Sequence, residues 1–281
     1  MRMNWCWACV MALAVATPAA AQQRPLVTED PETVGAGRLL IEGGIDYAHD
    51  QQYPVSGLRG NLWRVPTLGA SVGISSIAEL QVDGALVDHL SITSRRAAPL
   101  SRLLTVSGNT TTDVEDLIIG TKIRLLPESA KYPAFGIRFA TKLPNASNES
   151  GLGLDTTDFL ASLLAAKTIE SIRVVGNLGI GILGDPTDGQ HQNDVFTYGL
   201  SFARAVTDRT EFVGEVNGRA SVRNGPPFPG TESRGLLRLG GRYTRGPIRF
   251  DTAVFLGLTT VDPTIGFTAG FTYVFSAFRL P

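Results

Sequence analysis

The sequence predicts an all-β fold: a single transmembrane antiparallel β-barrel of about twelve strands, with short periplasmic turns and longer extracellular loops. Three observations carry this. Apolar and polar residues alternate with period two along nearly the whole chain after residue 37, as in strands whose two faces meet different surroundings. The connections are short on one side and mostly long on the other, the asymmetry of outer-membrane barrels. The last segment sets Phe267, Ala269, Phe271, Tyr273 and Phe275 on one face and Thr268, Gly270, Thr272 and Val274 on the other, so one face needs a greasy neighbour.

The alternation defines segments 38–48, 62–74, 77–92, 113–125, 132–143, 156–166, 172–182, 194–205, 210–222, 234–244, 248–258 and 264–275. Most match the 9–11 residues, or slightly more, with which a tilted strand crosses a bilayer. Short turns fall at Ser75-Ser76, Leu126 to Lys131, Lys167 to Ser171, Val206 to Arg209 and Thr244 to Pro247. Long, polar connections fall between them, at His49 to Asn61, Thr93 to Thr112, Pro144 to Asp155, Leu183 to Asn193 and Arg223 to Ser233. Pro66 cannot donate to a ladder; it marks a bulge, or it restricts pairing of its segment to the residues from Thr67 onward.

Charges fall on the face opposite the apolar residues. Leu117, Ile119, Ile123 and Leu125 point one way, and Asp116, Lys122 and Arg124 the other. Leu237, Leu239 and Tyr243 oppose Arg234, Arg238 and Arg242, while Phe250, Val254 and Leu256 oppose Arg249 and Asp251. In lipid every backbone N–H and C=O must be paired, which forces such strands to close on themselves.

Residues 1–21 read as a secretory leader: Arg2, a short apolar stretch from Trp5 to Ala16, and small residues Ala19, Ala20 and Ala21 before Gln22. Cys6 and Cys9 lie within it, so the mature chain carries no disulfide or thiolate metal site. The formal net charge of −1 gives no argument for nucleic acid. No mature stretch of 18 apolar residues exists to form a spanning helix. The chain thus divides into leader 1–21, a periplasmic N-terminal segment 22–37, barrel 38–275 and tail 276–281.

Thr268, Gly270, Tyr273 and Phe275 follow the order polar, any, Gly, two of any, aromatic, any, aromatic. This resembles the terminal signal read by the barrel-assembly machinery. Pro25, Thr28, Glu29, Asp30, Pro31, Val34, Gly35, Gly37 and Arg38 precede the first strand directly, with Thr157-Asp158-Phe159 and Asn177-Leu178-Gly179 further along. Together they resemble the outer-membrane family named for the putative meta-pathway of phenol degradation. The resemblance implies a porin-like transporter in the bacterial outer membrane, embedded among lipid and lipopolysaccharide, passing small aromatic or hydrophobic solutes.

The candidate lumen-lining residues are Glu42, Asp46, Asp116, Lys122, Arg138, Lys142, Glu215, Arg219, Arg238, Arg242, Arg249 and Asp251. They are a charged constriction that selects solutes, or a salt-bridge network that stiffens the wall. Arg238, Arg242 and Arg249 outnumber Glu215 and Asp251 locally and most resemble a constriction. Gln22 to Gly37 either folds into the lumen as a small plug or stays a periplasmic leader. The expected function is passive solute transport; the alternative is a closed structural or surface-interaction barrel. A catalytic pair would need His89 and Ser91, which share a strand face, but this is one pair in a Ser-rich chain. No enzyme, cofactor or metal site is expected.

Overall fold

The computed structural model describes residues 24–278. The leader read at residues 1–21 and the end of the tail, 279–281, lie outside the described residues. The strands are β1 (Arg38–Tyr53), β2 (Leu58–Gly73), β3 (Ala78–Ala85), β4 (Asp88–Arg95), β5 (Thr110–Asp113), β6 (Ile118–Leu126), β7 (Ala134–Lys142), β8 (Asp158–Ile169), β9 (Ile172–Gly184), β10 (Gln192–Ala205), β11 (Thr210–Ser221), β12 (Arg234–Arg245), β13 (Ile248–Gly257) and β14 (Ile265–Ser276). All pairings are antiparallel, and β1 bonds both β2 and β14, which closes the ring. Among the described residues no helix is long and apolar enough to cross a membrane.

Fourteen strands make twelve staves, because two staves are split. β3 and β4 pair with the two halves of β2, and β6 and β5 continue that division into the next stave. The split lies at Pro66. Gly44 faces Thr67 and Asp46 faces Arg64, so Val65 and Pro66 together oppose Ile45. Two residues against one is a bulge, and β2 pairs on both sides of it. Beside it the ladder continues through Val65 N–H to Val87 O (2.8 Å) and Leu86 N–H to Pro66 O (3.1 Å). A residue without an N–H is accommodated where the ladder already changes partner.

The periplasmic turns are 74–77, 127–133, 170–171, 206–209 and 246–247. At 246–247 Gly246 has φ +61°, a left-handed conformation that a side chain would strain. Opposite are 96–109, 143–157, 185–191, 222–233 and 258–264. The first extracellular connection is shorter than its composition suggests. β1 runs to Tyr53, β2 starts at Leu58, and only 54–57 turn. The polar residues pair across this ribbon: Asp50 N–H donates to Asn61 Oδ1, and the Asp50 carboxylate holds Arg59. Polarity there reflects a ribbon that extends beyond the apolar band, where water meets both faces.

Burial is inverted relative to a water-soluble domain. Leu163, Leu200, Ile180, Phe159 and Phe250 are exposed on the outside, whereas Lys122, Glu79 and Thr272 have no exposed surface at all. An apolar band encircling the sheet requires lipid, and the ring of backbone ladders leaves no edge strand within it. The terminal strand divides as its alternation predicts. Phe271 and Tyr273 are exposed, while Thr268, Thr272 and Val274 are buried. The protein is an outer-membrane β-barrel. Inside it, Ala48, Leu58, Leu62, Leu90 and Phe255 form a small apolar cluster, while Val34, Leu40 and Val274 form another. Charged side chains fill the section between them.

Candidate functional site

The candidate site is the lumen, and its central element is the chain that precedes β1. Residues 24–34 lie inside the ring and bond to inward side chains on opposite walls. The Arg24 guanidinium donates to Thr67 Oγ1 on β2 (3.0 Å) and to Thr268 Oγ1 and Ala269 O on β14 (2.8 and 3.2 Å). It also lies 3.5 Å from the Asp251 carboxylate and 3.9 Å from that of Asp46. The backbone N–H groups of Val27 and Thr28 donate to Glu215 on β11. Glu29 exchanges two bonds with the Asn177 amide on β9, at 2.7 and 2.8 Å. Asp30 grips Arg173, Glu32 grips Arg124, and Val34 N–H donates to Glu79 (2.6 Å). A strand would satisfy its backbone through a neighbouring ladder. This segment does so through wall side chains.

The strands make room for it with glycine. A Cβ at Gly44 would lie 2.3 Å from the Arg24 guanidinium, one at Gly270 2.6 Å from it, and one at Gly199 2.8 Å from Thr28. Gly199→Ala is therefore expected to unseat Thr28 while leaving the ladders intact, because the three atoms nearest its Cβ all belong to the Thr28 side chain. The check is single-channel conductance of the refolded variant, which should exceed the parent's. Equal conductance in a correctly folded variant would count against a close fit at this point.

The densest node is Glu29. Its carboxylate lies 3.3 Å from Lys122 Nζ and 3.0 Å from Arg138 Nε, and Lys122 also lies 3.0 Å from Glu79. Gln81 donates to both Glu29 and Glu79 and accepts from Arg138. Burial pushes the Glu29 carboxyl up, but Lys122 and Arg138, with hydrogen bonds from Gln81 and Lys122, hold it below the ordinary value of 4.5. A depressed folded pKa means the stabilisation is complete above 4.5 and is lost only as pH falls through the lower folded value. Any rise in conductance that comes from Glu29 should therefore begin below pH 4.5. A rise centred near neutrality would show that another group controls the segment.

The remaining candidate residues are placed as follows. Glu42 accepts from Thr272 Oγ1 (3.0 Å). Lys142 donates to Asp116 (2.8 Å) and lies 3.5 Å from Asp158. Arg219 donates to the carbonyls of Gly230 and Glu232. Arg238 donates to Glu215 and Asn217, and its guanidinium lies 5.5 Å from the Phe255 ring centre. Arg242 and Arg249 both donate to the Arg24 carbonyl, at 2.9 and 3.3 Å. Two of the three arginines of the suspected constriction, Arg242 and Arg249, are thus ligands of the N-terminal segment, and Arg238 reaches it only through Glu215. Both Asp251 carboxylate oxygens lack a hydrogen-bond donor among the described residues. Of the terminal-signal residues, Thr268 and Gly270 face Arg24, while Tyr273 and Phe275 stack outside with ring centres 5.2 Å apart. His89 bonds Thr112 Oγ1 (2.8 Å).

Free space remains on both sides of the segment. A cavity of about 380 Å³ lies among Arg24, Val27, Glu42, Asp83 and Arg138, and one of about 160 Å³ among Thr28, Ser162, Asn177 and Tyr198. A third, of about 280 Å³, lies nearer the extracellular loops and is lined by Tyr53, Arg64, Leu152 and Arg219. Sequence reasoning missed Gln81, Arg64 and Asn177 as members of the site. The inward positions of Gln81 and Asn177 were legible from the alternation, but their partners lie about 50 and 150 residues away in the chain.

No family model matches the chain, and no curated protein matches it. Solved structures do. The COG4313 outer membrane channel from Pseudomonas putida F1 superposes with a TM-score of 0.63 at 12% identity, over 88% of this chain and 98% of that one. The translocator domain of the autotransporter NalP from Neisseria meningitidis gives 0.51 at 12% identity, over 85% and 88%. The NanC porin gives 0.51 at 10% identity, over 86% and 100%. At these identities the likeness is one of fold, and the fold shared by all three is the outer-membrane β-barrel.

Proposed function

We propose that the barrel passes small solutes, aromatic or hydrophobic ones among them, across the outer membrane by diffusion through its lumen, with residues 24–34 as a displaceable plug. One observation carries this reading: among the described residues the segment that crosses the lumen joins no backbone ladder, and cavities of about 380 and 160 Å³ flank it. A wall element would be fixed by ladders. Hydrogen bonds to charged groups are worth about 1.5–3 kcal/mol each, so the seat is firm, but it is separate from the ladders that close the ring, and the segment is able to leave it while the barrel stays closed. Two of the similar structures, an outer membrane channel and a porin, agree with this direction. In this reading the partners are the bilayer with its lipopolysaccharide, the barrel-assembly machinery that reads Thr268 to Phe275, and the solute.

The test compares the refolded mature chain with one that begins at Gly35, in planar bilayers and in liposome uptake of a neutral aromatic solute. Steady channels that widen on truncation, with faster uptake, are expected. Silence from both chains as verified folded barrels would favour the alternative, a structural barrel.

A further inference from the structure

The cavity of about 280 Å³ near the extracellular loops is close to the lower end of the roughly 300–1,000 Å³ typical of small-ligand sites. Its roof is apolar, with Val55, Leu152 and Leu154 from two different connections. The roof is built: Ser56 Oγ donates to Gly151 O (2.8 Å), Leu100 N–H to Val55 O (3.0 Å), and a Cβ on Gly230 would meet Val55 at 2.9 Å.

The polar lining is unevenly used. Of its four acids, Asp88 and Glu115 lie against Arg64, while Asp116 and Asp158 hold the loops. Asp116 accepts from Ala146 N–H and Lys142 (both 2.8 Å), and Asp158 accepts from Gly184 N–H (3.1 Å). Its arginines retain donors. A guanidinium offers five N–H groups. Arg219 spends two on the carbonyls of Gly230 and Glu232, and among the described residues no carboxylate comes within ion-pair distance of it. Among the described residues Arg234 reaches only Gln52 O at 3.5 Å and Asp262 at 4.0 Å. Arg64 Nε is buried without a hydrogen-bond acceptor, 3.3 Å from Glu115 and 3.5 Å from Asp88. Arg64 is thus matched by two acids, whereas the Arg219–Arg234 side has donors in excess; that side is completed by a ligand with surplus acceptors, and a carboxylate matches the guanidinium fork in geometry and charge.

From this arrangement we infer that the cavity is a binding site for a small amphipathic monocarboxylate, with its carboxylate on Arg219 and Arg234 and its apolar body beneath Val55, Leu152 and Leu154. The cavity volume suits a single-ring or short-chain acid. The inference rests on the solute route proposed above and names the chemical class that the route receives at its outer end.

The test titrates the refolded mature chain in detergent micelles with 3-phenylpropionate, 3-phenylpropionamide and 2-phenylethylamine by calorimetry. The acid is expected to bind at least about tenfold more tightly than the amide or the amine, as a charge-assisted hydrogen bond allows. Arg219→Gln is expected to abolish that preference. Arg219 also anchors a loop, so if this variant does not fold, the three-ligand comparison on the parent chain decides alone. Equal binding of acid and amide, or tighter binding of the amine, overturns the inference. The solute route fails separately: silent bilayers with the acid preference intact would remove the route and keep the site, and steady channels without that preference would do the reverse.

Discussion

Lys122→Met is expected to destabilise the folded protein by roughly 3–5 kcal/mol, the cost of leaving a buried charge without its partner. Lys122 has no exposed surface and sits between Glu29 and Glu79 at 3.3 and 3.0 Å. Without its ammonium, two buried carboxylates face each other across one site. Glu29 keeps Arg138, but Glu79 keeps only the Gln81 amide and Val34 N–H. The burden therefore falls on Glu79. Adding Glu79→Gln to Lys122→Met should recover much of the loss, because a neutral amide needs no counter-charge. Urea unfolding of the refolded barrel in micelles measures both. A loss below about 1 kcal/mol, the range of exposed ion pairs, would mean that water reaches this node and that the segment is loosely seated.

Glu215→Ala is expected to give the largest change in conductance of any single substitution. Glu215 is almost fully buried, and its carboxylate accepts from Val27 and Thr28 N–H and from Arg238 at 2.9 Å. Its loss frees two backbone donors of the segment and leaves Arg238, among the described residues, with Asn217 as its remaining hydrogen-bond acceptor. The segment should then sample unseated positions, and mean conductance should approach that of the chain truncated before Gly35. Arg238→Ala alone should do less, because it leaves both backbone bonds to Glu215 in place. The two substitutions share a partner, so their effects should be non-additive. A drop in stability with unchanged conductance would mean that the segment is a fixed part of the wall.

Much of the fold was legible because a strand in a bilayer has few choices. Alternation assigns each side chain to lipid or lumen, and the twelve segments correspond to the twelve staves of the ring. The errors are local and have local causes. The connection from His49 to Asn61 read as a loop because its residues are polar, although β1 and β2 continue there as a ribbon. The stave read as 77–92 is two strands, β3 and β4, which separate at Leu86 and Val87 opposite the bulge at Val65 and Pro66.

The lumen was legible only in part. That Glu215, Arg238 and Arg242 point inward follows from their parity within β11 and β12. That Glu215 receives Val27 and Thr28, and that Arg242 and Arg249 meet at the Arg24 carbonyl, does not. These contacts span some 190 to 225 residues of sequence and exist only once the ring has closed. The inward glycines show the same division. Gly44, Gly199 and Gly270 were visible as small residues in strands, but the backbone and side chains they admit come from a segment with no periodicity of its own. By itself the sequence determined the number of staves, the face of each residue and the membrane, because period-two geometry and the exclusion of unpaired backbone from lipid act on every strand separately. Only the tertiary structure decided which charge meets which, what fills the lumen and where space remains, because those depend on how twelve staves set their registers around one axis.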